Sequence, residues 1–86
     1  MMIKIYGADW CSDCINIKNY LDSIEIEYEY ILINSDEKYT KLVMKVNNGK
    51  KIIPTIEING EFFSNPNLLQ LSQILKNTNS KKNNYE

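Results

Sequence analysis

The chain has 86 residues, with 10 basic residues that are all lysine, 11 acidic residues and no histidine, and its formal net charge is −1. This length allows one small domain. The lack of histidine excludes a Ser-His-Asp triad, a Cys-His protease pair and any zinc or haem site that needs imidazole. Two cysteines are too few for a four-ligand zinc site within one chain, and the near-neutral charge argues against a nucleic-acid partner.

No stretch of the sequence is apolar over the 18 or so residues that a membrane span needs, so we expect no membrane attachment. The opening residues Met1–Tyr6 lack the apolar run and cleavage site of a secretory signal. A small secreted domain normally holds several disulfides, whereas this chain has a single close pair of cysteines. These features predict a cytoplasmic protein.

The first half of the chain alternates between strand and helix patterns. Met2–Tyr6 is predicted as a strand that ends before Gly7, and about Ser12 to Ser23 is predicted as a helix. The apolar face assigned to this helix is formed by Ile15, Leu21 and Ile24, with Ile17 and Tyr20 between them. In Glu25–Ile33 the period changes from 3.6 to 2, and the segment then becomes apolar on both faces, which predicts a strand that enters a covered sheet.

A second helix is predicted from a cap at Ser35 or Asp36 to about Asn47, and Asn48-Gly49 then ends it. Its predicted buried face consists of Tyr39, Leu42, Val43 and Val46. The strands Ile53–Ile58 and Glu61–Ser64 follow. Asn59-Gly60 between them is the favoured pair for a type I′ hairpin.

The third helix is predicted to have Asn65 as its N-cap and Pro66 in its first position. Its apolar residues are Leu68, Leu69, Leu71, Ile74 and Leu75. Residues 77–86 are almost entirely polar, so we expect a domain over residues 1–76 and a disordered tail. The element order is β-α-β-α-β-β-α, an α/β arrangement in which two parallel strands are joined by a helical crossover and an antiparallel hairpin is added.

Cys11 and Cys14 form the sequence Cys-Ser-Asp-Cys at the start of the first helix. Residues three apart on a helix lie on one face, close enough for a disulfide. The unpaired N–H groups and the positive end of the helix dipole favour a thiolate at the first cysteine. Since thiolate is the attacking species in disulfide exchange, this placement activates Cys11 without histidine. Cys11 is therefore the predicted nucleophile and Cys14 the predicted resolving thiol.

Other interpretations of these residues stay open at this point. The two cysteines would also suit metal or cluster ligation, or inert packing in the core. Trp10 is either a core anchor or an apolar wall on which a disulfide substrate docks. Pro54 is either a proline at the entry of a strand or a cis-proline that frees the backbone of Ile53 to pair with a substrate.

Residues 1 to about 76 resemble the glutaredoxin branch of the thioredoxin-fold family. The motifs responsible are Trp10-Cys11-Ser12-Asp13-Cys14, Ile53-Pro54-Thr55 and the Asn59-Gly60 hairpin. Within the branch the chain looks most like mycoredoxin-like small proteins. This resemblance rests on Trp10, Val46–Gly49 and Phe63–Pro66. The resemblance implies a thioredoxin-like fold, with a four-stranded mixed sheet flanked by three helices. It also implies that Pro54 is cis and faces the two cysteines, and that backbone groups of Ile53 bind the substrate thiol.

The chain departs from the family pattern where glutathione would bind. Ala8 stands where these proteins usually have a basic residue, and Phe63-Ser64 and Asn67 replace a Gly-Gly pair and an aspartate. Ser64, Asn65 and Asn67 lie near a helix N-terminus, where backbone N–H groups would still receive a carboxylate. Lys50 and Lys51 are candidates for the missing cation.

The resemblance implies a monomeric thiol-disulfide oxidoreductase that reduces protein or mixed disulfides. Its electrons would come from glutathione, another low-molecular-weight thiol or thioredoxin reductase, and no tightly bound cofactor is implied. A first alternative is an iron–sulfur carrier, in which Cys11 from two chains and two small thiols hold a [2Fe–2S] cluster. A second is a thioredoxin-like binding module without turnover, in which the cysteine pair is only a structural staple.

Overall fold

The computed structural model describes residues 2–83 and has the predicted element order. The strands are β1 (Ile3–Gly7), β2 (Glu29–Leu32), β3 (Thr55–Ile58) and β4 (Glu61–Ser64), and the helices are α1 (Ser12–Ser23), α2 (Glu37–Val46) and α3 (Leu68–Asn83). The strands form one sheet in the order β2-β1-β3-β4. β1 and β2 are parallel, whereas β3 is antiparallel to both β1 and β4. The fold class is therefore the predicted one, with a four-stranded mixed sheet and three helices.

The sheet buries apolar side chains on both faces. One face packs against α1 and α3, and the buried residues there are Ile3, Ile5, Ile17, Leu21, Ile56, Ile58, Leu71 and Leu75. The other face packs against α2 through Tyr6, Ile31, Ile33 and Val43. Burial of each such side chain contributes about 1.5–3 kcal/mol, so these two layers are the main source of stability. On the predicted buried face of α2, Val43 is buried and Tyr39 and Leu42 pack against it partly buried, whereas Val46 is only half-buried.

β2 is shorter than predicted because the Glu25–Tyr28 segment ends a helix instead of starting a strand. Glu25 adopts a left-handed conformation with φ 58°. Its N–H donates to the Asp22 carbonyl at 3.1 Å, and the Ile26 N–H donates to the Leu21 carbonyl at 3.0 Å. This pair of bonds is a Schellman motif, which normally has glycine where Glu25 stands. The acidic-apolar alternation there therefore belongs to the helix cap and the loop after it.

The predicted apolar face of α1 is partly wrong. Ile15 and Ile24 of α1 are exposed, and the helix instead buries Cys14, Ile17 and Leu21. These three residues share one face at the spacing i, i+3, i+7, so the cysteine itself belongs to the core stripe. Among the apolar residues of α3, Leu68 and Leu69 are exposed, whereas Leu71 and Leu75 are buried.

The predicted cap of α3 is also wrong, because Asn67 takes that role instead of Asn65. The Asn67 Oδ1 accepts the Gln70 N–H at 2.8 Å, and the Gln70 Oε1 accepts the Asn67 N–H at 2.9 Å. This reciprocal capping box satisfies two donors at the helix start and fixes where the helix begins. Asn65 has φ 39° and belongs to the preceding turn.

The far end of α3 continues past the predicted end of the domain at residue 76. Neither glycine nor proline interrupts the chain between Lys76 and Asn83, and the Thr78 hydroxyl donates to the Ile74 carbonyl at 2.9 Å. The predicted tail over residues 77–86 stays a prediction, and residues 84–86 lie outside the described part. None of the helices described in residues 2–83 has the length and apolarity to span a membrane.

Candidate active site

Cys11 is the N-cap residue of α1. Its backbone is extended, with φ −85° and ψ 115°, and its Sγ accepts the backbone N–H of Cys14 at 3.3 Å. A serine or aspartate normally provides this cap. Here the sulfur takes that place, so it lies where unpaired N–H groups and the helix dipole favour negative charge. The residue as a whole is 9% exposed, so Cys11 is almost buried, and its thiol is free.

Cys14 lies one turn further along the helix and is fully buried. Burial raises the pKa of the Cys14 thiol to about 11, and hydrogen bonding to Cys11 adds to this increase. The backbone N–H of Ala8 and the hydroxyl of Tyr30 lie close to the sulfur and act in the opposite direction, because hydrogen bonds from these groups favour the thiolate. The two thiols therefore occupy different environments, since Cys11 caps the helix and is slightly exposed, whereas Cys14 lies fully buried in the core.

Gly7 has no side chain, and this leaves room for the buried sulfur of Cys14. A Cβ at this position would lie 2.7 Å from the Cys14 Sγ and 2.9 Å from the Tyr30 hydroxyl oxygen. Both distances are shorter than real carbon contacts allow. The glycine at the end of β1 thus permits the close approach of strand, helix and tyrosine.

Tyr30 is a residue that the sequence patterns did not single out. It lies in β2, packs against the cluster of Ala8, Cys11 and Cys14, and donates its hydroxyl to the Ala8 carbonyl at 2.7 Å. Burial, and then the nearby charge of Cys14, raise the pKa of this phenol well above its usual range. The Lys18 Nζ lies 5.7 Å from the centre of its ring. The period-2 pattern of β2 placed Tyr30 in a strand but could not indicate its long-range partner.

The Ile53–Pro54 peptide bond is cis, as the resemblance implied. Ile53 packs against the cysteine cluster, and Pro54 is buried behind it. The Pro54 carbonyl accepts the Asn65 N–H at 2.7 Å, so the cis-proline loop is held by the turn before α3. Because β3 is antiparallel to β1 and Thr55 pairs with Tyr6, Ile53 reaches the cysteines at the end of the sheet where β1 ends.

A buried polar network supports the cis-proline loop, and its centre, Asn47, was predicted only as the end of α2. The Asn47 Nδ2 donates to the Val43 carbonyl at 2.7 Å and to the Thr55 Oγ1 at 3.0 Å. The Thr55 hydroxyl in turn donates to the Ile52 carbonyl at 2.7 Å. Ser64, predicted to bind substrate, donates its hydroxyl to the Asn47 Oδ1. Such satisfied networks hold backbone segments in one arrangement.

The other predicted binding residues divide between a groove and open solvent. A groove of about 280 Å³ between the start of α1 and the turn before α3 is lined by Asp13, Asn16, Ile17, Asn65, Pro66, Asn67 and Leu68. Asp13 is the one charged residue in this lining, and it lies between the two cysteines in the sequence. Trp10 is 73% exposed, so it is no core anchor. Lys50 and Lys51 are exposed as well.

Comparisons with known proteins agree with this geometry. The family model described as Glutaredoxin matches residues 3–63. The chain belongs to the glutaredoxin family. It is 35% identical to Mycoredoxin 1 of Corynebacterium glutamicum over 65 residues, which cover 74% of this chain and 80% of that protein.

Solved structures show the same fold. The crystal structure of a thioredoxin-like protein superposes with a TM-score of 0.72 at 22% identity, over 83% of this chain and 96% of that one. The glutaredoxin-like NrdH-redoxin from Escherichia coli superposes with a TM-score of 0.64 at 19% identity, over 74% of this chain and 82% of that one. The fold is therefore thioredoxin-like, and this small domain is a redox protein of the glutaredoxin family.

Proposed function

We propose that this protein is a dithiol-disulfide oxidoreductase that reduces protein disulfides and mixed disulfides. The observation that supports this most directly is the position of Cys11. Its sulfur caps α1, accepts the Cys14 N–H at 3.3 Å and lies beside Ile53 of the cis-proline loop. A sulfur that already accepts a backbone hydrogen bond needs little rearrangement to react as a thiolate.

The proposed reaction has two steps. The Cys11 thiolate attacks one sulfur of the substrate disulfide, forms a mixed disulfide and releases the other half as a thiolate. Cys14 then attacks the Cys11 sulfur, closes the Cys11–Cys14 disulfide and releases the second half as a thiol, which takes up the proton of Cys14. The substrate gains two electrons, and the protein loses two. Two molecules of a small thiol, or a reductase, then reduce the Cys11–Cys14 disulfide and restore the dithiol.

Substrate would bind across the face that contains Trp10, Ile53 and the groove beside Asp13. In this arrangement the exposed indole ring of Trp10 offers an apolar wall. Ile53 packs against the cluster that contains the reacting Cys11, and Asn65 and Asn67 line the groove. Because a carboxylate is the one charge in the lining, we propose that the groove favours disulfides with neutral or cationic arms over glutathione.

A coupled assay tests the reaction and its electron donor together. The purified protein receives insulin as the disulfide substrate and NADPH with either glutathione and its reductase or thioredoxin reductase. We expect NADPH oxidation in one of these two arms. The reaction requires a compartment that keeps thiols reduced, and we propose the cytoplasm.

Single substitutions separate the roles of the two thiols. Cys11→Ser should abolish turnover, because the attacking sulfur is gone. Cys14→Ser should lose insulin reduction but keep activity on a mixed disulfide between a protein and a small thiol, which needs no second protein thiol. Ser12→Ala, an exposed neighbour in the same turn, is the matched control and should behave as wild type. Wild-type activity of Cys11→Ser would refute the assignment.

A further inference from the structure

The resolving sulfur is the less accessible partner of the pair, and the chain holds no histidine to take its proton. Cys14 is fully buried, so a negative charge on its sulfur costs free energy unless a polar group donates a hydrogen bond to it. The titratable and charged groups that face Cys14 and Tyr30 in the described part are Cys11 and Lys18 from α1, and Asp9 from the loop before it. None of these is a hydrogen-bond donor to the Cys14 sulfur.

The groups around that sulfur include two donors. A Cβ at Gly7 would meet both the Cys14 Sγ at 2.7 Å and the Tyr30 hydroxyl at 2.9 Å, so sulfur and hydroxyl lie side by side above the same glycine. The Ala8 backbone N–H approaches the same sulfur. Tyr30 is held in this position by the bond from its hydroxyl to the Ala8 carbonyl and by its packing in the cysteine cluster.

We propose that Tyr30 donates a hydrogen bond to the Cys14 sulfur and so stabilises its negative charge when this thiol resolves the mixed disulfide. This inference rests on the proposed dithiol reaction and adds a third residue to it. In the reduced protein the hydroxyl donates to the Ala8 carbonyl. Rotation about its C–O bond turns the same proton toward the Cys14 sulfur, together with the Ala8 N–H.

The tyrosine does not change the balance of the reaction. Cys14 gives up its proton to the released thiol, its sulfur bonds to the Cys11 sulfur, and the bond between Cys11 and the substrate sulfur breaks. Tyr30 keeps its own proton throughout. Burial and the nearby thiol raise the pKa of the phenol, so it stays a neutral donor over the pH range in which Cys14 loses its proton.

The two steps can be timed separately with 5,5′-dithiobis(2-nitrobenzoate) in a stopped-flow instrument. Attack by Cys11 releases one coloured thiolate, and resolution by Cys14 releases the second. Tyr30→Phe should slow the second phase about tenfold and leave the first within twofold, since one hydrogen bond to a charged sulfur is lost. The midpoint of the pH profile of the second phase should rise by about one unit.

Tyr28→Phe is the matched control, because its hydroxyl donates to Asp22 at 2.8 Å, away from the cysteines. Both of its phases should equal those of wild type. If Tyr30→Phe does not fold, site-specific replacement of Tyr30 by 3-fluorotyrosine keeps the side-chain shape and makes the phenol more acidic. That protein should show a lower pH midpoint for the second phase.

An unchanged second phase in Tyr30→Phe would overturn the inference. Equal slowing of both phases would also overturn it, because it would mean that Tyr30 merely holds the loop around Ala8. An unmoved midpoint with 3-fluorotyrosine would do the same. A wild-type protein that reacts in two phases with the dye but reduces no protein disulfide would instead refute the proposed function and leave the role of Tyr30 standing.

Discussion

Gly7→Ala is the substitution that tests most directly how tightly the redox pair is packed. The added Cβ would lie 2.7 Å from the Cys14 Sγ, 2.9 Å from the Tyr30 hydroxyl and 3.2 Å from the Cys14 Cβ. An ordinary carbon–sulfur or carbon–oxygen contact needs several tenths of an ångström more. Cys14 is short and fully buried, so its sulfur has no free space in which to move.

The expected cost follows from two opposing effects. Overpacking a core by one methyl group costs about 1–3 kcal/mol. The loss of glycine entropy in the unfolded chain offsets about 0.4–1 kcal/mol of this. The net destabilisation is then about 1–2 kcal/mol, which for a domain of this size corresponds to a decrease in Tm of about 5–15 °C.

Thermal unfolding of the reduced protein, followed by circular dichroism, measures this decrease. Gly49→Ala is an informative control, because Gly49 has φ 88° and no atom within 4 Å of its added Cβ, so it reports backbone strain alone. Cys14→Ala removes the closest atom, and in this background Gly7→Ala should cost about 1 kcal/mol less. A Gly7→Ala protein as stable as wild type, or an equal cost in both backgrounds, would refute the steric reasoning.

Three further predictions concern the same face of the molecule. Burial raises the pKa of Cys14 from 9.0 to about 11, so its contribution to the stability of the reduced protein is complete below pH 9 and is lost as the pH rises to 11. In urea unfolding at pH 8 and pH 10.5, wild type should therefore lose more stability than Cys14→Ala between the two pH values. An equal loss in the two proteins would contradict this. Asn47→Ala should lower the free energy of unfolding in urea by about 2–3 kcal/mol, because the Thr55 hydroxyl and the Val43 carbonyl lose the hydrogen bonds from the Asn47 amide. The control Asn19→Ala, at an exposed position, should stay within about 0.5 kcal/mol of wild type. Asp13→Asn should speed the reaction with glutathione disulfide about two- to fivefold at low salt, and the increase should be smaller at 0.5 M salt. A rate increase that does not depend on salt would argue against an effect of the Asp13 charge in the groove.

Much of the fold was predictable because its signals are local. The Asn59-Gly60 turn and the Asp36 cap each depend on residues a few positions apart, and the structure has both. The same holds for the two cysteines, whose spacing on one helix face follows from helix geometry. Local signals failed where two of them competed. The alternation after Ser23 was assigned to a strand, but the backbone there closes a helix with Glu25 in the left-handed conformation.

The supporting residues of the site could not be predicted, because their partners are distant in the chain. Tyr30 bonds to the carbonyl of Ala8 across 22 positions, and Asn47 joins α2 to Thr55 and Ser64. Nothing in the strand pattern of β2 or the polar end of α2 indicates which tertiary contact these side chains make. The polarity of Asn47 looked like a helix stop and is in fact a buried hydrogen-bond centre.

The difference between the two thiols follows from a single helix. Cys11 caps the helix N–H groups and is 9% exposed, whereas Cys14 belongs to the core stripe and is fully buried. The first sulfur needs only the backbone to react. The second needs a partner that lies outside the helix, because the interior gives no solvent to take up its charge. The chain has no histidine, and beside the Ala8 N–H the side chain that lies there is Tyr30 of β2.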